Sequence, residues 1–271
     1  GPGITNMVTP MLDAQNDSTP LVVISGQVSR NVMGTDAFQE APATEITKSI
    51  TKWSHCIENT EEIPEVMDYA FYLANEGKKG VVHLDLPKCI ATGEVDIDRL
   101  EYMDDLKLYN NSFMGEEYYY ENTGKLLVER NYYHDLVEQV KEVAEVISKS
   151  RKPIFYIGQG CANAPQNLRK VIYKNRIPCT STIHGKGIFS ERDILSLKWC
   201  GMHGFPAANY ALQESDCIIA IGSRFDDRTT GNVEKYAPVA HEKKQIIHVD
   251  IEEKQFNKSV KSHYNIKAHA D

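Results

Sequence analysis

The sequence has little that would point to a metal site or a disulfide framework. Its six cysteines, at positions 56, 89, 161, 179, 200 and 217, are widely spaced, and no two of them form a C-x-x-C pair. Zinc sites and small disulfide-rich folds depend on such close spacings. We therefore expect reduced thiols, most of them buried, and no metal ligands among them.

The sequence also lacks an excess of basic residues and a long apolar segment. Against 30 lysines and arginines stand 38 aspartates and glutamates, so the formal net charge is -8. A nucleic-acid-binding domain normally carries a clustered basic face, and a membrane-spanning helix needs about 20 consecutive apolar residues. We find neither pattern and expect no nucleic-acid partner and no membrane association.

An initiator methionine and a targeting segment are missing from the first residues. The chain starts at Gly1, and its first residues resemble neither a signal peptide nor a transit peptide. We therefore expect the sequence to begin inside a longer protein. Its 271 residues, of which 41% are hydrophobic and 25% charged, are enough for two globular domains.

The first part of the chain alternates strand and helix patterns. Apolar runs at residues 21–26 and 80–87 predict buried parallel strands. Between them, apolar residues recur at three- and four-residue spacing over residues 61–75, which predicts an amphipathic helix. Asn59 and Thr60 are candidates for its N-terminal cap. Residues 91–134 are rich in tyrosine, asparagine and acids, and we interpret them as an interdomain linker.

The alternation resumes in the second part. Helices are predicted at residues 136–148, 167–175 and 207–214, and strands at residues 153–158, 177–182, 217–222 and 246–251, the last of these ending the sheet. Strands alternating with helices at this spacing predict an α/β fold with a parallel, doubly wound sheet.

In such a sheet, ligands bind beyond the carboxyl ends of the strands. The predicted strands are followed there by a glycine turn at Gly158 and Gly160, by Arg224 and Arg228, and by Asp250. Glycine allows close approach to a pyrophosphate, arginine binds phosphate with its fork of donors, and an acid accepts from ribose hydroxyls. Together these residues indicate a dinucleotide site.

Each of these features has a simpler interpretation when taken alone. The Gly158 turn lacks the third glycine of the nicotinamide fingerprint, because Asn163 stands in its place. Residues 224–228 can also form a surface cluster of ion pairs, and His203 can be an ordinary loop histidine. Only the combination is informative.

Several motifs resemble the acetolactate synthase family, and in order they cover nearly the whole chain outside the linker. They are Gly-Pro-Gly-Ile-Thr-Asn at residues 1–6, Gly-Gln-Val at 26–28, Gly-Thr-Asp-Ala-Phe-Gln-Glu at 34–40, Thr-Lys-Trp at 51–53, Asp-Leu-Pro-Lys at 85–88, Gly-Met-His-Gly at 201–204 and Arg-Phe-Asp-Asp-Arg-Thr-Thr-Gly at 224–231. The runs at 34–40 and 224–228 are specific to this family among thiamine-diphosphate enzymes.

The resemblance implies decarboxylation of pyruvate on thiamine diphosphate and carboligation to a second 2-oxo acid, the first common step in the synthesis of valine, leucine and isoleucine. It implies two Rossmann-like domains here: residues 1–90 as the later part of the pyrimidine-binding domain, truncated at its N-terminus, and residues 135–271 as the central FAD domain. Thiamine diphosphate and Mg2+ belong to the full-length enzyme, which the resemblance implies is a homodimer or tetramer that can bind a regulatory subunit.

The resemblance also implies roles for individual residues. Phe38 and Gln39 match the reaction site and Lys88 the mouth of the substrate channel. The FAD contacts would be Lys78, Gly158, Gly160, Thr182, Ile183, His184, His203, Gly222, Arg224, Asp226, Arg228, Asp250, Ile251 and Asp271.

Some positions depart from the family pattern. Ser29 stands where the family usually has proline, and Lys78 stands where an arginine reaches FAD, which keeps the charge but loses the bidentate fork. The catalytic glutamate of the family lies upstream of its Gly-Pro-Gly motif, and the Gly-Asp-Gly metal motif does not occur in this sequence. We therefore expect the chain alone to be inactive.

Two other interpretations remain open. One is another carboligase of the same superfamily, and the other is a non-catalytic module that binds FAD or another nucleotide. Family members work in the cytoplasm of bacteria and in mitochondria or plastids of eukaryotes, and the sequence does not distinguish these compartments.

Overall fold

The computed structural model describes residues 1–95 and 135–270, which form two compact units. The predicted linker therefore lies almost entirely outside the described residues, and so does Asp271.

The first unit is a small parallel sheet with helices on both faces. Its helices are α1 (Ile4–Asn16), α2 (Ala43–Thr47), α3 (Ile63–Asn75) and α4 (Lys88–Ala91), and its strands are β1 (Leu21–Gln27), β2 (Trp53–Cys56) and β3 (Val81–Pro87). The strand order is β1-β3-β2, with both pairs parallel. Alternate residues of β3 enter two clusters, with Val81 packed against α1 and with Val82 and Leu84 packed against α3.

Two expectations for this unit need correction. Strand β1 is only half buried: it lies at one edge of the three described strands, and Ile24 is 52% exposed. The N-terminal cap position of α3 is Glu62 rather than Asn59 or Thr60, and it makes no side-chain capping bond. Asn59 acts one turn earlier, because its Oδ1 accepts the N–H of Glu62 at 3.1 Å.

The second unit contains a larger sheet of six strands. Its strands are β4 (Pro153–Ile157), β5 (Cys179–Ser181), β6 (Ser196–Trp199), β7 (Cys217–Ile221), β8 (Ile246–Asp250) and β9 (Tyr264–Lys267); its helices are α5 (135–149), α6 (Pro165–Asn175), α7 (Pro206–Glu214), α8 (Asp227–Thr230) and α9 (Pro238–Lys243). Two clusters cover its faces, one with Phe155 and Ile219, the other with Tyr156 and Ile218.

The strand order of this sheet is β6-β5-β4-β7-β8-β9, and all neighbouring pairs are parallel. The chain begins in the middle at β4, runs outward to β6, returns to the middle at β7 and runs outward to β9. This is the order of a doubly wound nucleotide-binding fold, whose ligand crevice lies where the direction reverses, between β4 and β7. The predicted fold class is confirmed.

The structure adds strands that the sequence pattern did not indicate. The segment at residues 246–251 is not the last strand, because β9 follows it and pairs with β8, and β6 extends the opposite side. Both are four-residue strands at the sheet edges with polar residues between their apolar ones, so neither shows the continuous apolar run of a central strand. Among the described residues, no helix is both long and apolar enough to cross a bilayer.

Candidate functional site

The carboxyl ends of the strands bring most of the predicted FAD contacts to one edge of the second unit. Because all six strands are parallel, the turns after β4, β5, β6, β7 and β8 emerge at the same edge. In spatial order these turns carry His203, then Thr182, Ile183 and His184, then Gly158 and Gly160, then Gly222, Arg224, Asp226 and Arg228, and finally Asp250 and Ile251.

Two glycine turns meet at the crossover between β4 and β7. The Gly158 N–H donates to the Ile221 carbonyl at 2.9 Å, and the Gly160 N–H donates to the Gly222 carbonyl at 3.1 Å. Gly222 has φ +59°, and a Cβ there would lie 2.5 Å from Gly160 Cα. The packing of the two turns on each other is therefore enough to require glycine at these positions, whatever else they contact.

The turn after β5 presents one buried hydroxyl and one exposed apolar side chain. Thr182 is buried, and its Oγ1 accepts the Gly185 N–H at 3.1 Å. The next residue, Ile183, is 62% exposed, and His184 is exposed as well. The hydroxyl is thus used within the turn, and Ile183 provides an apolar surface at the edge of the sheet.

The loop after β6 reaches the turn that follows β7. The Met202 N–H donates to the Arg228 carbonyl at 2.8 Å, and a Cβ at Gly201 would lie 2.8 Å from the same oxygen. The Met202 and His203 side chains are exposed in this loop, and the His203 carbonyl accepts the Trp199 Nε1–H at 3.1 Å. The loop with the family motif therefore contacts the loop with the arginines, across β5 and β4.

Within residues 224–228, the charged groups make different kinds of contact. Asp226 caps α8, since its carboxylate accepts the Thr229 N–H at 3.1 Å and the Thr229 hydroxyl at 3.0 Å. Arg228 is exposed, and its Nε lies 3.9 Å from the Asp227 carboxylate. Arg224 is half buried. The ion pair at Arg228 is long and solvent-exposed, so it contributes little to stability.

The end of β8 places an acid and a histidine beside the same crossover. Asp250 is buried, and its Oδ1 accepts the Glu252 N–H at 2.9 Å. His248 is fully buried, and its Nε2 lies 2.8 Å from the Ser223 carbonyl oxygen. Burial lowers the pKa of His248, so its neutral form predominates at pH 7.

In the first unit, the predicted reaction-site residues lie on a tight loop after β1. Phe38 is 90% exposed, and Gln39 has φ +65°. The Glu40 carboxylate accepts the N–H groups of Gly34 and Ala37, the second at 3.0 Å. Hydrogen bonds from these backbone groups, that of Gly34 first, lower the pKa of Glu40. The carboxylate thus closes the loop that displays Phe38.

The two lysines lie at opposite edges of the first sheet. Lys88 begins α4 immediately after β3 and is exposed, so it shares the carboxyl edge with the Phe38 loop. Lys78 comes three residues before β3, at the amino edge. Within this unit, the predicted FAD contact at Lys78 is therefore separated from the predicted substrate residues.

A buried polar network was not anticipated from the sequence. The Ser25 Oγ lies 2.8 Å from His83 Nε2 and 2.6 Å from Asp85 Oδ1. His83 Nδ1 lies 2.8 Å from the Thr47 hydroxyl. Gln27 donates its amide to Asp85 Oδ2 at 2.9 Å and to the Ala41 carbonyl at 2.6 Å. The only signal in the sequence was polar residues at alternate positions of otherwise apolar strands.

Gln27 connects this network to the Phe38 loop, because Ala41 directly follows that loop. Asp85, in turn, precedes Lys88 by three residues in β3 and α4. The network therefore holds together the two segments that carry Phe38, Gln39 and Lys88.

The six cysteines are free thiols, and burial raises the pKa of the four that are buried. All six are free, and Cys161, Cys179, Cys200 and Cys217 are buried, as most were predicted to be. Burial raises the pKa of Cys161, Cys179 and Cys200 to about 12, so these thiols are unreactive at neutral pH. Within residues 1–95 and 135–270, no group of three or more His, Cys, Asp or Glu side chains is arranged to hold a metal ion.

Comparisons with known proteins bear on both units. The family described as "Thiamine pyrophosphate enzyme, central domain" matches residues 140–271, and "Thiamine pyrophosphate enzyme, N-terminal TPP binding domain" matches residues 1–46. Acetolactate synthase 2, chloroplastic, of Nicotiana tabacum is 40% identical over 272 residues, which are 98% of this chain and 37% of the relative. The mitochondrial acetolactate synthase catalytic subunit of Saccharomyces cerevisiae is 36% identical over 278 residues, which are 100% of this chain and 38% of the relative.

These findings confirm the resemblance that the motifs indicated. Along nearly its whole length the chain is a homologue of acetolactate synthase catalytic subunits, and it carries sequence of the N-terminal and central domains of thiamine pyrophosphate enzymes. The chain spans less than two fifths of the length of these relatives.

Proposed function

We propose that this chain is part of an acetolactate synthase, and that its second unit binds FAD at the crossover between β4 and β7. The observation that carries the flavin proposal is the meeting of the Gly158–Gly160 and Gly222 turns at that crossover, the place where doubly wound sheets bind nucleotides. With it we assign residues 1–90 to the pyrimidine-binding domain, 91–134 to a linker and 135–271 to the FAD domain.

The residues at this edge suit the three chemical parts of FAD. Arg224 and Arg228 supply guanidinium groups for a diphosphate, and Asp250 supplies a buried carboxylate for ribose hydroxyls. Ile183 and Met202 are each 62% exposed at the same edge and provide apolar surface for a flat ring. The other residues of this edge assigned to the site are Gly158, Gly160, Thr182, His184, His203, Gly222, Asp226 and Ile251. The resemblance also implies FAD contacts at Lys78, which belongs to the first unit, and at Asp271, which lies outside the described residues.

Thiamine diphosphate, when bound with Mg2+, would act as the electron sink for decarboxylation of a 2-oxo acid. Within this chain, Phe38 would form an apolar wall that excludes water, and Gln39 would hydrogen-bond the 2-oxo acid. Lys88 would attract the substrate carboxylate to the channel. The sequence carries neither the family's Gly-Asp-Gly metal motif nor a residue assigned to its catalytic glutamate, so we assign no proton-transfer step to this chain.

The whole protein would convert pyruvate with a second pyruvate or 2-oxobutanoate. As proposed partners we name these small 2-oxo acids, further copies of the same chain and a regulatory subunit. The named relatives are chloroplastic and mitochondrial enzymes, and a eukaryotic source would place this protein in one of those organelles.

FAD titration of the 271-residue chain tests the flavin site. We expect saturable quenching of flavin fluorescence, and we expect Arg224→Ala to weaken FAD binding about 10- to 100-fold, because a charged hydrogen bond contributes about 1.5–3 kcal/mol. Arg151→Ala is the matched control, since Arg151 is an exposed arginine just before β4, at the opposite edge of the sheet.

A folded chain that does not bind FAD would contradict the flavin proposal. Acetolactate formation from pyruvate by the full-length protein tests the catalytic proposal separately. FAD binding without any dependence of the full-length protein on thiamine diphosphate would favour a non-catalytic nucleotide-binding module instead.

A further inference from the structure

His248 joins two of the turns on which the proposed flavin site is built. It lies in β8, two residues before Asp250, and its Nε2 lies 2.8 Å from the carbonyl oxygen of Ser223 in the turn after β7. The same nitrogen lies 3.9 Å from Asp250 Oδ2. One imidazole therefore contacts the segment that carries Arg224 and faces the acid that ends β8.

The protonation state of the ring is determined by these contacts. A carbonyl oxygen can only accept a hydrogen bond, so Nε2 must carry the hydrogen. Burial lowers the pKa of His248, so the ring is neutral and its Nδ1 is unprotonated. Nδ1 is buried and has no hydrogen-bond partner among the described residues. Within the described part of the chain, the hydrogen bond that orients the ring is thus directed at Ser223.

Two aromatic rings hold the imidazole in place. The centroid of Phe225 lies 5.1 Å away at 81°, and that of Phe256 lies 5.2 Å away at 82°, both edge-to-face. The side chain of His248 is fully buried. Packing on this scale leaves the ring little freedom to rotate, so the position of the Nε2–H is set by the core.

The bond to Ser223 fixes a peptide plane that belongs to the proposed site. In a planar trans peptide the C=O and the following N–H point in opposite directions. With the Ser223 carbonyl held towards His248, the Arg224 N–H must point away from it. Ser223 directly follows Gly222, whose turn packs on Gly160, so this plane also continues the glycine contact at the crossover.

We propose that His248 is a positioning residue for the flavin diphosphate: its Nε2–H fixes the Ser223–Arg224 peptide, and thereby Arg224, without contacting the cofactor. This inference rests on the proposed function of the second unit. His248 is not among the predicted FAD contacts, and its proposed role is to orient the turn that binds the phosphates.

Two substitutions separate the hydrogen bond from the packing. His248→Gln keeps an N–H donor close to the position of Nε2, whereas His248→Leu fills similar space without a donor. We expect the 271-residue chain with His248→Leu to bind FAD, and ADP as a probe of the diphosphate alone, at least tenfold more weakly than the wild type. His248→Gln should restore both affinities to within about threefold.

Ser215→Ala is the matched control. Ser215 is also buried and donates to a carbonyl, that of Lys152 at 2.8 Å, but it precedes β7 at the opposite edge of the sheet. Its loss should lower stability without changing FAD affinity. If His248→Leu does not fold, His248→Asn replaces it, since the shorter amide cannot reach the position of Nε2 and should bind as weakly.

The outcomes distinguish the inference from the function on which it rests. Failure of the wild-type chain to bind FAD would overturn the proposed flavin site and this inference with it. Wild-type binding with equal affinity in folded His248→Leu, or a loss in His248→Gln as large as in His248→Leu, would overturn only the role of His248.

Discussion

Glu40 determines the shape of the loop that displays Phe38 and Gln39. Its two carboxylate oxygens accept the N–H groups of Gly34 and Ala37, and both bonds are stronger when the carboxylate is ionised. These backbone bonds explain why the pKa of Glu40 lies below its ordinary value of 4.5.

Acid should therefore open this loop. Because the pKa of Glu40 is lower in the folded chain, the stabilisation is present above the ordinary value of 4.5 and is lost as the pH falls through the folded pKa. We expect the amide protection of Gly34 and Ala37 to fall in that range, and to be low at every pH in Glu40→Gln. Hydrogen exchange measured by NMR checks this, with Gly80 as a reference glycine outside the loop. Equal protection in the variant at pH 7 would contradict it.

The glycines of the second unit show how far residue-level inference from the sequence extends. The position of Gly158, Gly160 and Gly222 after strands could be predicted, and the dinucleotide interpretation came from general chemistry. Their contact with each other could not be predicted, because it depends on β4 and β7 being neighbours in space although they lie about sixty residues apart in the chain. That contact gives a structural reason for the glycines that is independent of any ligand.

At the scale of elements, the network around His83 connects four segments of the first unit. Ser25 lies in β1, Thr47 in α2, Ser54 in β2, and His83 itself in β3. His83 is fully buried, and its two ring nitrogens lie within 3.0 Å of these three hydroxyls. An apolar side chain at position 83 would leave these buried hydroxyls with fewer hydrogen-bond partners.

His83→Leu should accordingly destabilise the first unit by about 1–3 kcal/mol, the typical penalty for buried polar groups that lose a partner. Urea unfolding followed by the fluorescence of Trp53, in a chain with Trp199→Phe, measures it. His184→Leu is the control, because His184 is an exposed histidine of the other unit. An unchanged urea midpoint in His83→Leu would mean that the network contributes no net stability.

Most of the strands that could be predicted from the sequence are buried on both faces, whereas those that could not are short and mixed in composition. The central strands β3, β4, β7 and β8 are covered on both faces, and their continuous apolar runs marked them. The four-residue strands β2, β6 and β9 have mixed polar and apolar residues. They are stabilised more by pairing with a neighbouring strand than by the strand preference of their own residues. The helix α1 was also missed, since Pro10 lies inside it.

The shared location of the candidate site residues could be predicted wherever the preceding strand could be predicted. A parallel sheet places all its carboxyl ends at one edge, so identifying the strands was enough to bring Thr182, Gly222 and Asp250 together. Contacts between residues far apart in the chain could not be predicted. Examples are the bond from His248 to Ser223 and the bond from Met202 to Arg228 across two strands, since both depend on the order of the strands in the sheet.

For the whole molecule, buried and half-buried histidines predict how stability depends on pH. Burial lowers the pKa of His83 in the first unit and of His241, His248 and His263 in the second, in each case as the largest cause. Between the folded pKa of such a histidine and its ordinary value of 6.5, the unfolded chain binds more protons than the folded one. Stability must then rise with pH in this range and fall as the solution is acidified.

The second unit should be the more acid-sensitive, because three of these four histidines belong to it. The fully buried His248 can contribute at most about 1.4 kcal/mol per pH unit while its unfolded form is protonated and its folded form is not. The half-buried His241 and His263 contribute less, because solvent screens their charge. The lowered pKa values of Glu40 and Asp193 do not interfere, since their ordinary values are 4.5 and 3.8 and they act in stronger acid.

The chain contains two tryptophans, Trp53 in the first unit and Trp199 in the second, so each unit can be followed by itself. In Trp53→Phe, the urea midpoint seen by Trp199 should fall between pH 7.5 and 5.5, and by more than the midpoint seen by Trp53 in Trp199→Phe. Comparing the change with pH within each variant removes the effect of the tryptophan substitution itself. A midpoint that rises on acidification in either variant would contradict the assignment of these histidines as neutral in the folded chain.

In the second unit, adding His248→Gln should reduce the dependence of the urea midpoint on pH, since glutamine retains the donor to Ser223 but has no proton to gain.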